Sequence, residues 1–152
     1  MTVDNLLLSM KIRMYFIMLI GGVVLCAFYL FMEGGFADNS IITFFGFLCL
    51  STYIAMHLRK LYFVSVSNDD GKIKIRYYYI HPLFQKLNSI EIPFNEFHSY
   101  EVQDAYSGFN KYLLIYQKTR KGVAVYPKIS IAALQKKEWR KIEDILKKYS
   151  TK

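Results

Sequence analysis

Residues 14–32, MYFIMLIGGVVLCAFYLFM, and residues 41–58, IITFFGFLCLSTYIAMHL, contain no Asp, Glu, Lys or Arg. At about 1.5 Å of rise per residue, each run forms a helix roughly 27–29 Å long, close to the ~30 Å hydrocarbon thickness of a bilayer. A helix at the surface of a soluble globule is polar on at least one side, and these runs are apolar on every side. Both are therefore expected to be transmembrane helices. The link between them, EGGFADNS at 33–40, is too short for anything but an antiparallel hairpin.

Orientation follows from the cations. Lys11 and Arg13 precede the first run and Arg59 and Lys60 follow the second, while the link has none and carries Glu33 and Asp38. Positive flanks stay on the cytoplasmic side, which predicts a cytoplasmic N-terminus at 1–13, an extracytoplasmic loop at 33–40 and a cytoplasmic domain at 59–152. Arg59 and Lys60 then act as an interfacial anchor. A cleaved signal peptide, with Gly35-Phe36-Ala37 as the cleavage point, is the competing reading. Its apolar region would be longer than signals use, and a second span follows at once.

Little chemistry is expected inside the hairpin. Its one titratable side chain of the kind that marks ion paths is His57, at the interface end and expected to be satisfied there. Thr43, Ser51 and Thr52 can bond back to their own helix, and Gly21, Gly22 and Gly46 allow close helix approach. Cys26 and Cys49 have no partner spacing for a metal and read as soft packing residues. Two helices enclose no pore without homo-oligomerising, a state the sequence leaves open. The hairpin reads as an anchor.

From Leu61 the apolar period changes from helical to two. LYFVSVS (61–67) ends at the turn NDDG, and KIKIRYYYI (72–80) sets Ile73 and Ile75 opposite Lys72, Lys74 and Arg76. SIEIPF (89–94) groups Ile90, Ile92 and Phe94. HSYEVQD (98–104) places Tyr100 and Val102 on one face, and after the turn YSGFN come KYLLIYQK (111–118) and VAVYPK (123–128). Six strands joined by short turns predict an antiparallel sheet. Ser130 then reads as the N-cap of an amphipathic helix at 131–149, with Leu134, Trp139, Ile142, Ile145, Leu146 and Tyr149 on its apolar stripe. Glu143 with Lys147 and Asp144 with Lys148 are favourable i,i+4 pairs.

In this order of elements the chain resembles the bacterial pleckstrin-homology-like (PH-like) domains that follow a two-helix membrane hairpin. The resemblance rests on the hairpin ending in Arg59-Lys60 and on DDGKIKIR, IEIPFNEFHSYEV, KYLLIY and ISIAALQKKEWRKIEDIL. It implies an α+β membrane protein of the bacterial inner membrane, with a β-barrel or sandwich of six or seven antiparallel strands capped by the C-terminal helix. A seventh strand would fall in PLFQKL (82–87). Lipid-binding PH domains grip phosphates with basic residues around the first hairpin, and Lys72, Lys74 and Arg76 occupy a similar place. The upstream cation is missing, since Ser65 and Ser67 stand there. Such folds also bind peptides beside the C-terminal helix or at a sheet edge.

Eighteen of the twenty Lys and Arg lie from Arg59 onward, against nine acids in the same stretch. Near an anionic inner leaflet each basic residue adds roughly 1 kcal/mol of attraction, so the lipid surface is an expected partner and nucleic acid is not. No catalytic, cofactor or metal residues stand out. His57, His81 and His98 read as separate settings, Asp69-Asp70 belongs to a turn, and no nucleophile elbow, HExxH or phosphate loop occurs. The expectation is a non-enzymatic membrane protein presenting a basic cytoplasmic domain for protein or lipid-surface binding, its protein partner unspecified. The alternative is a small membrane immunity or inhibitor protein acting through its hairpin. An enzyme would need a polar cluster assembled only in three dimensions.

Overall fold

The computed structural model describes residues 2–32, 40–82, 86–105 and 110–150. Most of the link 33–40, the cleavage point Gly35-Phe36-Ala37, most of the turn at 106–110 and the centre of 82–87 lie outside these residues. Two long helices, α1 (Leu6–Met32) and α2 (Ser40–Leu58), run antiparallel. Their close approach is made by glycine. A methyl group on Gly22 would meet Cys49 Sγ at 3.4 Å, and one on Gly46 would meet Cys26 Cβ at 3.4 Å. Each cysteine thus packs on a glycine of the opposite helix. Gly21, expected to share this role, faces open space. Ser51 and Thr52 both bond back to the Leu48 carbonyl, at 2.9 and 2.8 Å. Thr43 does not, because it lies in the first turn of α2 with little helix before it.

The segment 1–13 ahead of the first uncharged run has structure of its own in its described residues. Thr2–Asp4 form a strand, β1, and α1 starts at Leu6, eight residues ahead of the uncharged run. Lys11 and Arg13 therefore sit within the helix. Asp4 Oδ1 accepts the Leu6 N–H at 3.2 Å, satisfying one of the donors that a helix start leaves open.

Beyond α2 come β2 (Tyr62–Asp69), β3 (Lys72–Tyr79) and β4 (Asn88–Pro93), which with β1 make one antiparallel sheet in the order β1-β2-β3-β4. Lys60, with φ of 44°, stops α2 and its N–H bonds the His57 carbonyl at 3.2 Å. Between the paired residues Asp69 and Lys72, Asp70 and Gly71 have φ of 55° and 74°, the two positive values that a type I′ hairpin turn requires. Val3, Val66, Ile75 and Ile90 line up across the four strands and are buried.

The second sheet contains β5 (Phe97–Ala105), β6 (Asn110–Thr119), β7 (Gly122–Val125) and β8 (Ile129–Ser130). Its register shifts between Phe97 and Ser99, which leaves His98 at a bulge. Val102 is 39% exposed, so the expected inward alternation of β5 ends at Tyr100, which packs on the core. Inward residues of both sheets meet Ile142, Ile145 and Leu146 of α3 (Lys136–Tyr149) in one core. The result is an α+β sandwich with its C-terminal helix packed on the core.

Two further corrections concern the ends of the second sheet. Ser130 is not an N-cap: it pairs with Tyr112 as part of β8, and the Ile131 N–H bonds the Lys111 carbonyl at 2.8 Å. Ile129, Ser130 and Ile131 are all buried in succession, so the chain enters the core here as a short strand and not as one face of a helix. The helix begins only after Gln135, whose N–H is held by the Glu138 carboxylate at 2.9 Å. The strands beyond the expected six are thus β1 and β8, and the described residues among 82–87 carry none. Of the two i,i+4 pairs, Glu143–Lys147 closes at 2.8 Å, whereas Lys148 lies over the Tyr149 ring.

Candidate functional site

The hairpin and the sandwich meet in a buried joint. The chain leaves α2 at Leu58, runs out along β2 and returns along β3, so Ile80 and His81 arrive back beside the end of the helix. The Ile80 N–H bonds the Leu61 carbonyl at 2.9 Å, and Leu61, Ile80 and Ala133 pack with Ile12 of α1 and Met56 of α2. Asn5 pins the other side. Its amide donates to the carbonyls of Tyr62 at 3.2 Å and Ala133 at 3.4 Å, and its Oδ1 accepts the Val64 N–H at 2.9 Å.

At the centre lies a cluster that the sequence had scattered. His81 is 1% exposed and Phe16 is fully buried. The His81 ring stacks on Tyr79 at 5.6 Å, and its Nε2 shares a 3.0 Å hydrogen bond with the Tyr53 hydroxyl. Phe16 packs against it at 5.5 Å and His57 edge-on at 5.9 Å. His57 Nδ1 in turn shares a 2.9 Å hydrogen bond with the Tyr79 hydroxyl. His57 is thus hydrogen-bonded, and His57 and His81 occupy one setting, not two. Burial, and then the neighbouring His57, hold the His81 pKa below its ordinary 6.5. Burial, followed by the phenols of Tyr53 and Tyr62, raises Tyr79.

Beside this cluster opens a cleft of about 980 Å³. Thr52, Ala55, Met56 and Leu58 of α2 form one wall, and Tyr62, Tyr79 and Tyr112 from the strands form the other. Arg59 and Lys60 stand at its rim, and among the described residues no carboxylate lines it. Among the described residues, Lys60 Nζ and the hydroxyls of Tyr62 and Tyr112 have no hydrogen-bond partner.

Lys72, Lys74 and Arg76 do share one outward face of β3, in a shallow groove of about 330 Å³ with Ser65 and Ser67. The groove is electrically mixed. Asp69, Asp70 and Glu91 also line it, and Lys74 pairs with Glu91 at 2.6 Å. Hydrogen bonding to Lys74, then its charge, holds the Glu91 carboxyl below the usual carboxylate range. Lys72 is seven residues along the strand from Tyr79, about 23 Å at ~3.3 Å per residue. Arg76 is three residues from Tyr79, about 10 Å, but on the opposite face of β3, so the groove and the cleft are separate surfaces.

Neither Asn5 nor the Phe16–Tyr53–His81 cluster was legible as a site in the sequence. Their only local signals are an Asp-Asn pair before an apolar run and the YYYIH ending of a strand. Among the described residues, no three His, Cys, Asp or Glu side chains converge as a metal site. Comparison with protein-family models, curated proteins and solved structures finds no match to this chain.

Proposed function

We propose that the protein is a non-enzymatic integral protein of a bacterial inner membrane. In this reading the α1–α2 hairpin crosses the bilayer twice, and the sandwich, PH-like in its layout, is held at the cytoplasmic surface for binding or scaffolding. One observation carries the reading: folding the chain leaves most of the hairpin's large apolar side chains uncovered, Phe16 and Leu30 being the buried exceptions. Leu7 is 78% exposed, Phe31 83% and Phe47 70%, and α2 has no buried residue. Each such side chain forgoes about 1.5–3 kcal/mol of burial in water, a cost that lipid removes. Both helices are long and apolar enough to cross a membrane. Lys11, Arg13, Arg59 and Lys60 all lie at the sandwich end of the hairpin, which supports a cytoplasmic location for both chain ends.

The test is a pair of C-terminal reporter fusions. A reporter active only in the cytoplasm is expected to work after Lys152, and one active only in the periplasm is expected to stay silent. The opposite pattern overturns the orientation, and recovery of the chain in the soluble fraction without detergent overturns the membrane reading. Deleting residues 61–152 separates the immunity or inhibitor class, in which a hairpin acting by itself would keep its activity.

A further inference from the structure

We infer that the cleft between the end of α2 and the strands holds one anionic phospholipid drawn from the surrounding bilayer. This rests on the membrane reading above and adds a ligand class and a place for it. Three observations converge. The α2 wall of the cleft, with Ala55, Met56 and Leu58, is continuous with the exposed apolar surface of the hairpin, so an acyl chain can follow it out of the hydrocarbon past Thr52, whose hydroxyl is bonded to its own helix at the Leu48 carbonyl. Arg59 and Lys60 sit at the rim, where that apolar surface ends and a phosphate would lie. Among the described residues no carboxylate lines the cleft, unlike the groove around Lys74, where three acids line the same surface as the cations. The hydroxyls of Tyr62 and Tyr112 and the Lys60 ammonium supply donors that no described residue occupies. Cations at an interface next to an apolar slot match the two halves of an anionic lipid, whereas a soluble anion would leave the apolar walls wet.

Native mass spectrometry of the full chain in mild detergent, equilibrated with equal amounts of phosphatidylglycerol and phosphatidylcholine, tests this. The intact chain is expected to retain a single phosphatidylglycerol, preferred about tenfold or more over phosphatidylcholine. Arg59→Gln with Lys60→Gln should bring that preference close to parity. Ala55→Trp, which fills the cleft from an exposed helix position and leaves both cations in place, should lower retention of the lipid. Lys72→Gln with Lys74→Gln should change neither. Equal retention of the two lipids by the intact chain overturns the proposal, as does loss of the anionic lipid only in the Lys72 and Lys74 variant. A chain that needs detergent yet shows no anionic preference sinks the lipid site and leaves the membrane reading standing. A chain that is soluble without detergent sinks both.

Discussion

His81 stands where three parts of the molecule touch: Tyr53 and His57 of α2, Phe16 of α1 and Tyr79 of β3. Its buried ring resists the proton that it takes readily in the unfolded chain. Below pH 6.5 the unfolded state therefore binds more protons than the folded one, and stability falls as pH falls. The loss stops growing once pH passes below the depressed folded pKa, and above about 6.5 it is absent. Thermal melts in detergent between pH 8 and 5 should show this decline in the intact chain. His81→Phe, which keeps an aromatic ring against Phe16 and Tyr79, should flatten it. An equal decline in the variant would place the proton elsewhere. None of this was readable from spacing, because His57 and His81 are separated by a strand and its return. Asn5 was hidden for a related reason: its partners at Tyr62, Val64 and Ala133 are brought to it only by the fold.

At the level of elements, period and charge carried most of the reading. The uncharged runs 14–32 and 41–58 lie within α1 and α2, and the six strands with period-two patterns all formed. The elements missed were the shortest, β1 and β8, of three and two residues. A two- or three-residue segment holds too little pattern to register, and only pairing with a longer neighbour makes it a strand. Helix packing likewise separates neighbours that the sequence treats alike. Gly22 faces Cys49 while Gly21 faces open space, so Gly22→Leu should force the helices apart and Gly21→Leu should not. The check is a disulfide or short cross-link between Cys26 and a cysteine introduced at Gly46. Its yield should fall in the Gly22→Leu background and hold in the Gly21→Leu one. Equal yields would show that the glycine–cysteine contacts do not set the spacing.

The whole molecule is a single joined body, in which residues 2–12 belong to the sandwich as much as to the hairpin. A fragment of residues 61–152 would lose β1, the inward Val3, the Ile12 contact and the acceptor of the buried Val64 N–H. An unsatisfied buried donor costs about 1–3 kcal/mol, and the newly bare edge of β2 invites pairing with other chains. That fragment should therefore aggregate or melt well below the full chain in circular dichroism and size-exclusion measurements. A monomeric fragment as stable as the full chain would show the N-terminal contacts to be dispensable. The sequence was sufficient for everything that depends on local pattern: two apolar helices, period-two strands, an amphipathic last helix and cations gathered behind the second apolar run. Hydrophobic period and charge placement act over a few residues, so they survive without a fold. Tertiary structure alone decided that the N-terminus joins the sheet, that two distant histidines share one cluster, and that a cleft with no carboxylate among its described residues opens beside Arg59 and Lys60. Those features are made by contacts between residues tens of positions apart, and no local pattern records which distant partner will arrive.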